Sequence, residues 1–163
     1  MSLYKFDRTL AETSTPDWVL YCRAAEAGFD ALVTRDQSQI SQPVEMYVLS
    51  RLHHFTIVTW KKSVEDPIRE WGQLLAYLPE VKKLLQRGAM GGTRPGAILL
   101  PAPTLGAQNV VRAADAVGID ARRRQISHKQ ANDEARAEIR DWLEMTSRSE
   151  SEFDRVLGFK HSD

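Results

Sequence analysis

The sequence predicts an α/β fold in which a small, mostly parallel sheet is flanked by helices and followed by a C-terminal helical extension. Two short apolar runs, ALVT (31–34) and FTIVTW (55–60), are typical of buried strands. Each is preceded by a segment with helical start signals, so the order is helix, strand, helix, strand. We expect about three to five strands, with 31–34 and 55–60 as parallel neighbours.

Length and composition limit the number of domains and the class of protein. The 163 residues, of which 42% are hydrophobic, suffice for one core with an appendage. We therefore predict an α/β domain over 1–120 and a helical extension over 127–163. Lysine plus arginine equal aspartate plus glutamate at 22 each, so no overall field favours nucleic acid or a membrane. We expect no membrane partner.

The single cysteine, Cys22, excludes a disulfide framework and a cysteine-rich zinc site. The N-terminal stretch MSLYKFDRTL lacks the apolar core of a signal peptide. The expected location is therefore the cytoplasm.

The first helix–strand unit places an acid at each end. Thr15 and Pro16 are helix-start residues, Asp17 complements the helix dipole, and Gly28 ends the helix. The strand that follows ends just before Asp36.

Later segments carry further helix and strand signals. A second helix is predicted from Pro43 to about Leu52, and a third over 64–86 with a break or kink near Leu78, since Pro79 follows it. Residues 97–101 resemble a short strand, and 105–117 suggests another helix.

The C-terminal extension is predicted to be a charged helix over 127–146 with one apolar side. We expect this extension to pack less tightly than the rest and to offer apolar side chains to a partner or a second copy; the alternative is docking within the chain. The residues concerned are Trp142, Phe153, Leu157 and Phe159.

Asp17 and Asp36 are the candidates for chemistry, because a helix that runs back along a parallel sheet starts where the strands end. Two carboxylates at that edge suit a hard cation such as Mg²⁺ or Mn²⁺. The simpler interpretation is a helix-start residue and a turn residue, since acids are common at both places.

The runs TPDW, AGFDALVTRD and QPVE, with a helix between the first two, resemble the central part of PIN-like domains, the nuclease fold of VapC-type toxins. The match covers roughly residues 5–60. The resemblance implies that Asp17 and Asp36 are catalytic, metal-coordinating carboxylates. It implies that Glu45 belongs to the metal site or lies on a helix surface, and that Arg35 contacts substrate phosphate or pairs with an acid.

The function that the resemblance implies is a Mg²⁺- or Mn²⁺-dependent ribonuclease, plausible as the toxin of a toxin–antitoxin pair. Its expected partners are an RNA substrate, an antitoxin protein and a second copy in a homodimer. The sequence departs from the family at its start, where the usual buried strand ending in an aspartate is missing and Asp7 follows only a short apolar stretch. A catalytically degenerate, partner-binding PIN-like protein is therefore the alternative.

Overall fold

A computed structural model describes residues 15–60, 66–89, 95–101, 112–114, 121–149 and Phe153. The helices are α1 (Asp17–Glu26), α2 (Pro43–Arg51), α3 (Pro67–Ala89) and α4 (His128–Met145), and the strands are β1 (Ala31–Val33), β2 (Thr56–Trp60), β3 (Ala97–Leu100) and β4 (Arg112–Ala114). A 3₁₀ turn spans Gln37–Ile40, and residues 121–124 are helical. The predicted N-terminal departure, with Asp7, lies outside the described residues.

The four strands form one sheet in the order β1-β2-β3-β4. β1, β2 and β3 are parallel, and β4 is antiparallel to β3. Leu32 pairs with Ile57, so the prediction that 31–34 and 55–60 are neighbouring strands is confirmed. The α/β class is likewise confirmed.

Local signals explain where the helices begin and end. Asp17 lies in the first turn of α1, and Gly28 follows the helix at a φ of 80°, a conformation that glycine adopts without strain. Pro43 occupies the first turn of α2, and the Ser127 hydroxyl accepts a hydrogen bond from the Gln130 N–H at 3.1 Å at the start of α4. These boundaries agree with the sequence prediction.

Helices cover both faces of the sheet, and every residue of β2 is therefore buried. Ile57 packs with α1, α2 and α4 in one apolar cluster, whereas Val58 and Trp60 pack with α3 in another. Successive strand residues point to opposite faces, so β2 supplies both cores.

The C-terminal helix belongs to the first of these cores. Ile139 and Leu143 are buried among α1 and α2 residues, and the Arg136 Nε donates to the Tyr47 hydroxyl at 2.7 Å. Trp18 contacts the rings of Trp142 and Phe153 edge-on, each at a centroid distance of 5.1 Å.

Helix α4 therefore docks within the chain. The expectation that Phe153 is offered to a partner is wrong, because its side chain is fully buried. Leu157 and Phe159 lie outside the described residues.

Two further expectations are corrected. Of the break or kink expected near Leu78, the break does not occur, because α3 continues through Pro79, with buried Leu74 and Val81 holding both sides of it against the sheet. The helix expected over 105–117 is wrong at 112–114, which forms β4; pairing with β3 overrides the helix preference of this alanine-rich stretch. Its other residues lie outside the described part.

Among the described residues, no helix combines the length and the apolarity that crossing a membrane requires.

Replacing Ile139 tests the docking of α4. The side chain is fully buried, so Ile139→Ala is expected to lower the free energy of unfolding by about 2–5 kcal/mol. Met145→Ala, at an exposed position on the same helix, is the control and should change it by less than about 0.5 kcal/mol. Urea denaturation followed by circular dichroism measures both, and equal small effects would show that α4 is not part of the core.

Candidate acidic site at the carboxyl edge of the sheet

The parallel pairing of β1 and β2 brings their carboxyl ends to one edge. Immediately beyond β1, the Thr34 N–H donates to the Val58 carbonyl at 3.0 Å, which extends the pairing by one bond. The Thr34 hydroxyl then accepts a hydrogen bond from the Asp36 N–H at 3.1 Å. The backbone is thereby fixed as it leaves the sheet, with Arg35 and Asp36 exposed at the edge.

Asp36 caps the 3₁₀ turn. Its Oδ1 accepts hydrogen bonds from the Ser38 N–H at 2.8 Å and from the Ser38 hydroxyl at 2.6 Å. Asp36 is therefore a turn residue, as the simpler interpretation predicted. Both bonds use Oδ1, so within the described residues Oδ2 remains available to a ligand.

Asp17 and Glu45 lie in the first turns of α1 and α2. The positive end of the helix dipole favours a carboxylate at each place. Both side chains are half-buried, whereas Asp36 is exposed. The three predicted acids thus come from three different elements around the same edge.

The buried hydroxyl of Tyr21 is influenced by all three acids. Burial raises the pKa of Tyr21, and the negative charges of Asp17, Glu45 and Asp36 raise it further. Tyr21 is fully buried, and within the described part of the chain its hydroxyl has no hydrogen-bond partner. At neutral pH the phenol therefore keeps its proton and remains a hydrogen-bond donor.

Glu45 is the acid whose own titration responds to this environment. Burial raises the pKa of its carboxyl, and the charges of Asp17 and Glu138 add to the increase, while a hydrogen bond to backbone opposes it. Removing water from one carboxylate beside another disfavours a second negative charge. A proton or a cation relieves this cost.

The structure adds two polar residues that the sequence analysis did not select. Thr59 and Gln39 are buried, and in the described residues neither Thr59 Oγ1 nor Gln39 Oε1 has a hydrogen-bond partner. Alternation along β2 puts Thr59 on the same face as Ile57, the face that α1 and α2 cover. A threonine near the carboxyl end of an otherwise apolar strand was the available signal. Gln39 had none, since its burial depends on how the turn packs.

Arg35 pairs with an acid, one of the two roles that the sequence left open. Its Nε lies 2.6 Å from Oε2 of Glu70, whose side chain is buried in the first turns of α3. About half of the arginine side chain stays exposed. Nearby, the Gln37 Nε2 donates to the Trp60 carbonyl at 2.9 Å, so the segment after β1 is tied to both α3 and β2.

A hard cation fits this donor set only in part. The three carboxylates offer oxygen, which Mg²⁺ and Mn²⁺ prefer, and Mg²⁺ needs only one or two of them besides water. Among the described residues, however, no group of three or more histidine, cysteine, aspartate or glutamate side chains is close enough to hold an ion. The described residues therefore do not form a three-carboxylate cage, and a cation here would have at most two carboxylate ligands from them.

Breaking the Arg35–Glu70 pair should destabilise the fold. Arg35→Ala leaves the buried Glu70 carboxylate without this partner, and because the arginine is half-exposed we expect a loss of about 2 kcal/mol in unfolding free energy. Adding Glu70→Gln to Arg35→Ala should recover part of it. Denaturant titration of both variants measures the difference; the absence of recovery would show that the two side chains are not coupled.

Stability should depend on pH through Glu45. Its folded-state pKa is raised, so the folded state binds the proton more tightly, and this contribution is complete below the unfolded value of 4.5 and lost as pH rises through the folded value. Glu45→Gln should therefore be more stable than wild type at neutral pH, with the difference disappearing below pH 4.5. Thermal melts from pH 4 to 8 test this, and a pH-independent difference would contradict it.

Comparison with known proteins identifies no relative: no family model, no curated protein and no solved structure matches this chain. No known relative therefore assigns a chemistry to the acidic site.

Proposed function

We propose that this protein is a Mg²⁺- or Mn²⁺-dependent nuclease of the PIN-like type that hydrolyses phosphodiesters at the acidic edge of its sheet. The observation that supports the proposal is that the charges of Asp17, Glu45 and Asp36 all act on the buried hydroxyl of Tyr21 and raise its pKa, after burial itself. Residues 17, 36 and 45 come from three different elements. In open α/β sheets, ligands bind at the carboxyl ends of the parallel strands.

Asp17 and Asp36 would hold the cation. Within the described residues no partner holds Oδ2 of Asp36, and its Oδ1 is fixed by Ser38, so the orientation of the carboxylate is set before an ion arrives. A bound Mg²⁺ or Mn²⁺ would neutralise charge on the phosphate and lower the pKa of a bound water.

Glu45 and Tyr21 would manage protons beside the cation. The raised pKa of Glu45 makes it a better proton acceptor than an ordinary surface glutamate, which suits a group that must take a proton from water near neutral pH. The Tyr21 hydroxyl, still protonated, would be a hydrogen-bond donor for a ligand that enters the site. Both effects follow from burial of the site.

Arg35 would contact the phosphate. It adjoins Asp36 in sequence, and Glu70 holds its Nε while half of the side chain remains exposed. The remaining N–H groups of a guanidinium fit phosphate oxygens well. The sequence resemblance alone supports RNA as the substrate and an antitoxin as the protein partner.

A second candidate is a catalytically inactive partner-binding protein of the same type. Two observations favour it: Asp36 already caps a turn, and no three-carboxylate group forms among the described residues. The two candidates differ in whether the acids bind a cation.

Manganese should stabilise the wild-type protein against unfolding. At about 100 times its Kd, an ion that binds only the folded state adds about 2.7 kcal/mol. Asp17→Asn and Asp36→Asn should lose this increment and any cleavage of a single-stranded RNA, while asparagine at 36 can still cap the turn. Differential scanning calorimetry with and without Mn²⁺ provides the measurement.

Asp141→Asn is the matched control, since this exposed carboxylate on α4 lies outside the site and should leave the manganese increment unchanged. Equal melting temperatures of the wild type with and without Mn²⁺ would contradict the nuclease and favour the partner-binding candidate. Stabilisation that survives both asparagine variants would place the ion elsewhere.

A further inference from the structure

Three buried polar atoms at the carboxyl end of the sheet have no hydrogen-bond partner among the described residues. They are the Tyr21 hydroxyl, Thr59 Oγ1 and Gln39 Oε1. Tyr21 and Thr59 are fully buried, and Gln39 is 9% exposed. A polar group that is both buried and unbonded is costly, so such groups in folded proteins usually bond an ordered water or a ligand.

Tyr21 and Thr59 belong to the same side of the sheet. The Tyr21 ring stacks on Phe55 at a centroid distance of 6.1 Å, and Phe55 and Ile57 both lie in the core under α1 and α2. Alternation along β2 puts Thr59 on that same face, nearer to the carboxyl end than Ile57. Since the charges of the acids act on the Tyr21 hydroxyl, we infer that the phenol extends along β2 toward Thr59.

Gln39 reaches the same end of the sheet from the 3₁₀ turn. The turn crosses the end of β2, because the Gln37 Nε2 donates to the Trp60 carbonyl at 2.9 Å. Ile40, the residue after Gln39, packs against the core under α1 and α2. Gln39 therefore closes the side of the sheet on which Tyr21 and Thr59 lie.

A single water matches the bonding capacity of these three atoms. The Tyr21 hydroxyl keeps its proton and is a donor, Gln39 Oε1 is an acceptor, and the Thr59 hydroxyl can be either. A water that accepts from Tyr21 and donates to Gln39 and Thr59 makes three hydrogen bonds, the usual number for a buried water. An apolar ligand would leave all three atoms unbonded, and an anion would be repelled by the acids nearby.

We propose that Tyr21, Thr59 and Gln39 together bind one buried water at the acidic edge, and that through this water they act as positioning residues for the cation site. The water site does not depend on the proposed nuclease function, whereas the positioning role rests on it.

The positioning role follows from the shortage of carboxylates. The described residues supply at most two carboxylates to one ion, and Mg²⁺ completes its octahedral shell with waters. Polar groups that hold the ligands of a metal from behind typically change its affinity by about 10–100-fold when they are removed. A water fixed by Tyr21, Thr59 and Gln39 would offer such a ligand from the interior.

The stability of Thr59→Val tests the water site, with Thr56→Val as the matched control. Both threonines are fully buried on β2, and the Thr56 hydroxyl donates to the Pro95 carbonyl at 2.8 Å. Valine has nearly the shape of threonine without the hydroxyl. If Thr59 bonds a water, both variants should lower the melting temperature by about 2–6 °C. A higher melting temperature for Thr59→Val would show that its hydroxyl has no partner and would overturn the proposal.

Oxygen-17 magnetic relaxation dispersion detects the water directly, because it counts long-lived waters and not exchanging hydroxyl protons. The wild type and Thr56→Val should each hold one more long-lived water than Thr59→Val. Equal counts in all three proteins would overturn the water site.

Manganese affinity, measured by electron paramagnetic resonance of free Mn²⁺, tests the positioning role. Thr59→Val should weaken binding by about 10–100-fold, and Thr56→Val should leave it unchanged. Unchanged affinity in Thr59→Val would overturn the positioning role. A wild type that binds no Mn²⁺ would overturn the nuclease and with it the positioning role, whereas the first two measurements alone decide the water site.

Discussion

The parallel pairing of β1 with β2 is the interaction on which the site depends. Its register, with Ala31 opposite Thr56 and Val33 opposite Val58, ends both strands at one edge and directs the chain after β1 across the end of β2. The Thr34 N–H bond to the Val58 carbonyl extends that pairing by one bond, and the Gln37 side chain ties the following turn to the Trp60 carbonyl at the end of β2. If the register slipped by one residue, every side chain of β1 would change faces and the acids would separate.

Burial makes this edge chemically different from an ordinary acidic surface. A carboxylate in water repels its neighbour weakly, whereas Glu45 is half-buried and the Tyr21 hydroxyl is fully buried, so the surrounding charges act on them more strongly. The core under α1 and α2 thus serves two purposes. It stabilises the fold, and it creates the low-polarity setting in which a cation or a proton is favoured.

Helix α3 connects the two surfaces that the structure distinguishes. Its inner side carries Glu70, which holds Arg35 at the acidic edge, and its outer side exposes Trp71 and other large apolar side chains. Glu70 and Trp71 are consecutive in sequence and point to different sides of one rigid element. A change in how the outer side is covered would therefore act close to the arginine of the site.

The sequence by itself determined the local elements of this protein: the limits of α1, α2 and α4, the strands β1, β2 and β3, and the acids at the element ends. Those features depend on capping residues, proline and glycine positions and runs of apolar residues, which act over a few neighbours. The selection of Asp17, Asp36 and Glu45 followed from the same local signals together with the family resemblance.

Only the tertiary structure decided the rest, because each remaining feature depends on residues distant in the chain. Arg112–Ala114 became a strand through pairing with β3, and α3 stayed continuous through Pro79 because the sheet buries Leu74 and Val81. The pairing of Arg35 with Glu70, the isolated hydroxyl of Tyr21 and the exposure of Trp71 likewise depend on long-range packing. Periodicity shows that a helix has apolar sides, but which side the core covers is fixed only when the helix meets the sheet.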